Sequence, residues 1–218
     1  MQEYLACVVS DGAGSAQNGG VGAELACTIA IKCIEASIGE SKHRAPERSD
    51  VEAWIENIQQ AIRKEACAAQ LKPRDYACTL LAAVLSPSWS LFFQIGDGAI
   101  VAAVRDVQGV VFWPDSGLYA NMTYFVTDED ALEHLQTASM ISNIDEVALF
   151  SDGLQRLALT FEHQVPHAPF FDPMLKVLRT CSPSSCDALE GPLIQFLNSP
   201  RVNARTDDDK TLVLATRR

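Results

Sequence analysis

The sequence predicts an α+β fold whose core is built from antiparallel sheets. The chain has 218 residues, of which 48% are hydrophobic, and this length is typical of one sheet-containing domain. Helical patterns stand towards both ends of the chain, and short apolar segments follow one another in the middle. Strands that are consecutive in sequence favour antiparallel pairing over alternating βαβ units. We therefore expect one domain over residues 1–218, with helices covering the faces of the sheets.

Two helices are predicted before the main group of strands. Apolar residues recur at helical spacing from Val21 to Ser37, which predicts a helix with one buried face. Ser49 and Glu52 form a capping-box pattern that predicts the start of a second helix, and Pro73 ends it. The residues that this second helix is expected to bury are Trp54, Ile55, Ile58, Ile62 and Ala66.

Two more helices are predicted after the strands. Asp172 and Pro173 have the order of a helix cap followed by a first-turn proline. A further helix is expected around 187–197, because Leu189, Leu193 and Phe196 recur at helical spacing.

The strands are predicted from short apolar or β-branched runs that are separated by Pro, Ser and Gly. We expect a first strand in "YLACVVSD", before the helices, and a last strand in "TLVLATR", at the end of the sequence of elements. The intervening strands are expected in "YACTLLAAVLS", "WSLFFQIGDGAIVAAVRD", "GVVFWPD", "TYFVT" and "EVALFSDGL".

The charge of the chain excludes two classes of partner. Its formal net charge is −11, so nucleic acid and anionic membranes would be repelled. No apolar stretch approaches the roughly 18 residues of a spanning helix, and "MQEYLACVVSDG" lacks the basic leader of a signal peptide. We therefore expect a protein of the cytoplasm that binds neither nucleic acid nor membrane. The sequence does not indicate an oligomeric state.

The cysteines point to the same compartment. They form no CxxC pair and are odd in number, which argues against a zinc site or a disulfide framework. We expect reduced, buried thiols. The seven are Cys7, Cys27, Cys33, Cys67, Cys78, Cys181 and Cys186.

Acidic residues recur where apolar strands end or begin. Asp11, Asp97 and Asp152 each follow such a run and each precede a glycine, and 207–209 is an aspartate run directly before the last strand. If the strand ends lie together, the carboxylates cannot all stay ionised without protons or a cation. Oxygen-only ligands favour Mg²⁺ or Mn²⁺ over zinc. The alternative is that each Asp-Gly pair is only a turn.

Three other motifs fit less well. The run "GAGSAQ" lacks the third glycine of a dinucleotide site and has Asp11 before its first glycine. The run "QNGGVGAE" lacks the lysine of a phosphate-binding loop. The acidic run "RTDDDKT" lacks the spacing and closing Glu of an EF-hand.

The ordered set of motifs resembles the metal-dependent protein phosphatases of type 2C, and most closely their compact bacterial members. The motifs are "VVSDGAGSAQNGGVGAELA", "ACTLLAAVL", "FFQIGDGAIVA", "ALFSDGL" and "DDDKTLVLA", with "WPDSGLYANMTYFVTD" between the third and fourth. The resemblance covers nearly the whole chain. It implies an α+β fold, a β-sandwich of two antiparallel sheets flanked by helices in four layers (αββα).

The resemblance also implies an activity and a set of site residues. Two Mg²⁺ or Mn²⁺ ions would activate a water for direct attack on phosphoserine or phosphothreonine in a phosphorylated protein. Catalysis would depend on Asp11 as the bridging ligand, with Asp152 and Asp208 completing the metal pair. The Gly12 carbonyl would be a further metal ligand, and Asp97 would join Asp152 in a weaker third metal site. Thr79 would be a supporting residue.

The sequence departs from the family pattern in three places. Ten residues precede Asp11, so we expect the domain to lack the family's first strand, with its acidic residue and phosphate-binding arginine. Ala13 stands where many members have a histidine that is a candidate general acid. The family's "GDSR"-like motif reads "GDGA" here, without its arginine. The four histidines, expected at the surface, are His43, His134, His163 and His167.

Two functions therefore remain open. The first is metal-dependent hydrolysis of phosphoserine and phosphothreonine in proteins, favoured by Asp11, Asp152 and Asp208. The second is a catalytically weakened phosphatase-like module that binds or regulates a phosphorylated partner, favoured by the missing amino-terminal strand.

Overall fold

The computed structural model describes residues 4–40, 44–105, 107–114 and 123–217. His43 and the stretch 115–122 of the "WPDSGLYANM" motif lie outside the described residues. The chain divides into two compact units, the first made of Met1–Gly98 with Pro114–Asn143 and the second of Ala99–Trp113 with Ile144–Arg218. The single domain over 1–218 stays a prediction.

The described residues form six α-helices, ten strands and three short 3₁₀-helices. The helices are α1 (Gly19–Glu40), α2 (Arg48–Ala68), α3 (Gln155–Ala158), α4 (Ala168–Thr180), α5 (Glu190–Leu197) and α6 (Pro200–Asn203). The strands are β1 (Leu5–Val9), β2 (Leu80–Leu85), β3 (Ser90–Ile95), β4 (Ala99–Val104), β5 (Val107–Phe112), β6 (Gln136–Met140), β7 (Glu146–Phe150), β8 (Leu159–Thr160), β9 (Val165–Pro166) and β10 (Leu212–Thr216). The 3₁₀-helices are Pro73–Tyr76, Asp152–Leu154 and Pro183–Leu189.

The first unit contains a four-stranded sheet in the order β1-β2-β3-β6, with every pair antiparallel. Helices α1 and α2 pack together and contribute Ala30, Ile34 and Ile58 to the same apolar cluster as the β2 and β3 side chains. The opposite face of the sheet is buried as well, since Leu81 and Phe92 are fully covered. The all-apolar run of β2 follows from burial on both faces.

The second unit contains a sheet in the order β10-β7-β4-β5, also antiparallel throughout, and a small ribbon of β8 and β9. Its apolar cluster joins sheet residues to the helix α4 through a tilted ring contact of Phe150 with Phe171 and an edge-to-face contact of Phe171 with Phe170. Antiparallel sheets with helices packed on them agree with the predicted architecture.

The structure corrects two strand predictions. The run "TYFVT" is not a strand: the Phe125 N–H donates to Asp128 Oδ2 (2.8 Å) in a turn, and the Val126 N–H donates to the Cys78 carbonyl (2.9 Å). The strand β6 was missed, because its residues "QTASM" are mostly polar and lie at an edge of the sheet. Edge strands are only partly buried and so carry no clear apolar alternation.

Two helices begin at residues other than those predicted. The helix α2 begins at Arg48, and Asp50 Oδ2 accepts the Glu47 N–H (2.8 Å), so the cap lies two residues before the predicted Ser49. The helix α4 begins at Ala168 with Pro173 inside it, instead of starting at Asp172. Burial of its two phenylalanines favours the earlier start over the local proline signal. The last predicted helix is a 3₁₀-helix followed by α5.

Candidate functional site

Asp11 directly follows the first strand region and is held by Thr79, just before β2. The Asp11 N–H donates to Thr79 Oγ1 (3.1 Å), and the Asp11 carbonyl accepts the Thr79 N–H (2.9 Å). The Ser10 hydroxyl donates to the Thr79 carbonyl, and Gly12 forms an isolated bridge with Cys78. Thr79 is buried, so its hydroxyl fixes the backbone at Asp11 away from competing water. This contact supports the expectation that Thr79 is a supporting residue.

The turn that carries Asp97 lies against the same threonine. Gly96 has a φ of 107°, a backbone conformation that residues other than glycine rarely adopt. A Cβ at this position would lie 2.6 Å from Thr79 Cγ2. The buried Gln94 side chain donates to the carbonyls of Gly96 and Gly98 (3.3 Å each). Thr79 therefore binds the Asp11 backbone and lies against Gly96, the residue before Asp97.

The Asp97 carboxylate itself is bound by a residue distant in sequence. The Thr123 hydroxyl donates to Asp97 Oδ2. The next residue, Tyr124, places its carbonyl beside Gly96 and stacks its ring on His134 at 3.3 Å between centroids. The segment that begins at Thr123 thus orients Asp97.

In the second unit, Ser151 joins the end of β7 to the aspartate run before β10. The Ser151 hydroxyl accepts the Thr211 N–H (3.1 Å) and donates to the Asp209 carbonyl (3.3 Å). The Ser151 N–H also donates to the Thr211 carbonyl (3.2 Å). Ser151 is almost fully buried, so these bonds fix the two segments side by side.

Gly153, which follows Asp152, packs against the same aspartate run. A Cβ at Gly153 would lie 2.1 Å from the Asp209 carbonyl oxygen and 3.3 Å from Asp208 Cβ. Only a residue without a side chain fits there, because the facing atom belongs to the backbone and cannot rotate away. The Asp152-Gly153 turn and Asp208 are therefore neighbours in the second unit.

The structure thus places the backbone segments that carry the predicted aspartates next to each other within each unit. Asp11 and the Asp97 turn both contact Thr79, and Asp152 precedes the glycine that contacts Asp208. Asp11, Asp97 and Asp152 are partly buried, and Asp208 is exposed. No three His, Cys, Asp or Glu side chains in the described part of the chain are close enough to hold an ion by themselves.

The donor atoms nevertheless fit a hard divalent cation. The atoms available are carboxylate oxygens and, at Gly12, a backbone carbonyl, and hard cations prefer such oxygen ligands. Mg²⁺ usually keeps several waters and is bound through one or two protein carboxylates, so a site for it does not need a closed cluster of protein ligands. The role of each residue as a metal ligand remains a prediction.

Burial keeps the nearby thiols protonated. It raises the pKa of Cys7 to about 11 and that of Cys78 to about 12, and the charge of Asp11 adds to the rise at Cys78. Of the seven cysteines, all of which are described, only these two are buried, whereas Cys67 is exposed. The prediction of buried thiols is therefore wrong for Cys67, which lies on the solvent side of α2.

The described histidines occupy different surroundings. His163 and His167 are exposed, as predicted. His134 is half-buried, because its ring stacks on Tyr124 and its Nε2 lies 3.4 Å from Asp130 Oδ2. Ala99, at the position of the family's arginine, is fully buried in β4.

Sequence reasoning missed four residues that position the aspartates, namely Ser10, Gln94, Thr123 and Ser151. Three of them had a visible signal: Ser10, Gln94 and Ser151 are polar residues inside or directly after an apolar strand, where an unpaired polar group is costly. Thr123 had none, since it lies outside any strand and its partner is 26 residues away.

No helix among the described residues is long and apolar enough to cross a membrane.

Comparisons with known proteins agree with this architecture. The sequence model of the family described as protein phosphatase 2C matches residues 1–197. The chain is 42% identical over 216 residues to "Serine/threonine-protein phosphatase 3" of Escherichia coli (strain K12), covering 98% of this chain and 84% of that protein.

Solved structures show the same fold at low identity. PppA, a regulatory component of the type VI secretion system (T6SS) in Pseudomonas aeruginosa, matches with a TM-score of 0.60 and 17% identity, over 98% of this chain and 88% of that chain. The catalytic domain of the serine/threonine phosphatase PstP, solved with two manganese ions, matches with a TM-score of 0.59 and 14% identity, over 97% of this chain and 85% of that chain. These likenesses confirm the predicted fold class. The chain belongs to the protein phosphatase 2C family.

Proposed function

We propose that this protein hydrolyses phosphoserine and phosphothreonine in other proteins with the help of bound Mg²⁺ or Mn²⁺. The observation that carries the proposal is the family match over residues 1–197, joined to 42% identity with a protein named as a serine/threonine phosphatase. The manganese ions in the PstP structure support the choice of metal. Residues 1–218 would act as one catalytic domain.

The proposed metal ligands are the aspartates at the strand ends. Asp11, Asp152 and Asp208 would bind the ion pair, and Asp97 with Asp152 would hold a weaker third ion. The Gly12 carbonyl would complete the set. Support comes from the bond that fixes the Asp11 backbone to Thr79, and from the contact between Gly153 and Asp208.

The chain's own contribution to catalysis is to hold these ligands rigidly. Bound divalent ions lower the pKa of water and neutralise phosphoryl charge. Thr79 fixes the backbone of Asp11, and Ser151 fixes the loop that carries Asp208. No nucleophilic side chain is required, and the raised pKa of the buried thiol of Cys7 excludes that cysteine from such a role.

We infer the substrate class from the named relative and the compartment from the cysteine pattern. The name of the relative makes it a phosphatase that acts on proteins. The seven cysteines of this chain form no CxxC pair and are odd in number, which suits a reducing compartment such as the cytoplasm.

One observation favours a second function, a module that binds a phosphorylated partner without turnover. Ala99 and Ala13 offer no charged or acidic group for substrate binding or leaving-group protonation, and Ala99 is fully buried. The same experiment separates the two functions.

The test is hydrolysis of a phosphothreonine peptide by the metal-free protein, with and without added Mn²⁺. We expect release of phosphate only with Mn²⁺, and its loss in Asp152→Ala with the circular dichroism spectrum unchanged. Asp187→Ala, an exposed aspartate in a 3₁₀-helix, is the matched control and should retain activity. Peptide binding without turnover would support the second function, and equal activity of Asp152→Ala would refute the site.

A further inference from the structure

We propose that Lys210 binds the phosphoryl group of the substrate and the phosphate product. This inference rests on the proposed function, since it places a cation beside the proposed metal ligand Asp208. It goes further by assigning a phosphate-binding residue to a chain whose "GDGA" run offers no arginine.

Lys210 is fixed at the strand end where Asp152 and Asp208 meet. Its Nζ donates to the Asp208 carbonyl (3.3 Å), and the next residue, Thr211, is bound through its N–H to Ser151. The side chain is partly buried, whereas the three aspartates before it are exposed. The ammonium group is therefore held at the acidic turn.

The contact of Lys210 places its ammonium on the residue that is proposed to bind the metal. The carbonyl that it contacts belongs to Asp208, and a Cβ built at Gly153 would lie 3.3 Å from the Asp208 Cβ. A phosphoryl dianion drawn to an ion on Asp208 would therefore approach a positively charged side chain of the same turn. Opposite charges attract more strongly where water is partly excluded, and Lys210 is partly buried.

The chemistry of a lysine suits this task. Its ammonium is a compact point charge with three donors and binds phosphate without the fixed geometry of an arginine. In the absence of ligand the ammonium offsets part of the aspartate charge around it. When divalent ions neutralise the carboxylates, the lysine charge becomes available to a phosphoryl dianion.

The competing explanation is that Lys210 only balances the three aspartates before it. The two roles predict different effects on phosphate affinity when the lysine is removed. A charge balancer that is removed leaves phosphate affinity unchanged and increases the affinity for Mn²⁺, because a repelling cation is lost. A phosphate ligand that is removed weakens phosphate binding whatever happens to Mn²⁺.

The experiment titrates inorganic phosphate into the Mn²⁺-loaded protein by calorimetry, and measures KM and kcat with a phosphothreonine peptide. For Lys210→Met we expect a roughly tenfold weaker phosphate Kd and a similar rise in KM, with kcat changed less than about threefold. Lys210→Arg should restore phosphate binding to within about threefold, because it keeps the charge. Lys176→Met, an exposed lysine on α4, is the matched control and should leave all three values unchanged.

The result that would overturn the inference is a phosphate Kd in Lys210→Met equal to that of the wild type, or an equal loss in Lys176→Met. If Lys210→Met does not fold, as judged by circular dichroism, Lys210→Gln gives the same comparison. Phosphate calorimetry does not depend on turnover. A wild type that binds phosphate but hydrolyses no peptide would therefore refute the proposed function and leave the assignment of Lys210 to be judged on its own Kd.

Discussion

Substitution of Gly153 by alanine tests the packing that places Asp208. The new Cβ would lie 2.1 Å from the Asp209 carbonyl oxygen, and such contacts shorter than 3.0 Å are essentially never observed. The Asp209 carbonyl must therefore retreat by about 0.9 Å, and the neighbouring Asp208 with it. The loop cannot retreat freely, since Ser151 bonds it to the end of β7.

The expected cost is about 1–3 kcal/mol in the free energy of unfolding, the usual range for an overpacked contact. The Mn²⁺ affinity should fall by about tenfold, because ligand positions must be kept within roughly 0.5 Å for full binding. Urea unfolding followed by circular dichroism measures the first quantity, and calorimetric titration of Mn²⁺ measures the second.

Gly191→Ala is the matched control within the same unit. Nothing lies within 4 Å of a Cβ at Gly191, which is in the first turn of α5. Alanine should be neutral or stabilise the helix by up to about 1 kcal/mol. A Gly153→Ala variant with the stability and Mn²⁺ affinity of the wild type would refute the packing argument.

Two further predictions concern the first unit. Thr79→Val should lower the free energy of unfolding by about 1–3 kcal/mol, because the Asp11 N–H loses its acceptor in a partly buried position. In the same urea titration, Thr79→Ser should retain most of the wild-type stability. Equal stability of the two variants would contradict the role of the hydroxyl. At pH 8, Cys67 should react with iodoacetamide in the folded protein while Cys7 stays protected. Burial raises the pKa of Cys7 to about 11, which cuts its thiolate fraction about a hundredfold below that of an ordinary thiol. Equal labelling of both cysteines, measured by mass spectrometry, would contradict this burial.

Sequence patterns predicted the regular elements because burial imposes a period on them. The helix α2 buries Trp54, Ile55 and Ile58 as its spacing predicted. Strands buried on both faces, such as β2, were visible as apolar runs. The edge strand β6 could not be predicted in this way, because it is only partly buried and mostly polar. The apolar run "TYFVT" forms a turn instead, in which Val126 is buried.

The candidate site was predicted only in part. Asp11, Asp97 and Asp152 were visible because Asp-Gly after an apolar run is a local pattern, and Asp208 because it stands in an aspartate run before the last strand. The family resemblance ordered them. The partners that fix them, Thr123 for Asp97 and Ser151 for the Asp209 carbonyl, lie 26 and 58 residues away. Such contacts arise from strand pairing across the fold, which local periodicity does not encode.

The central claim is that Asp11, Asp152 and Asp208 share bound divalent ions. Calorimetric titration of Mn²⁺ into the metal-free wild type and into Asp11→Asn, Asp152→Asn and Asp208→Asn tests it most directly. We expect at least two ions per wild-type chain and the loss or strong weakening of binding in each of the three variants. Any one of the three variants with the stoichiometry and affinity of the wild type would contradict the claim.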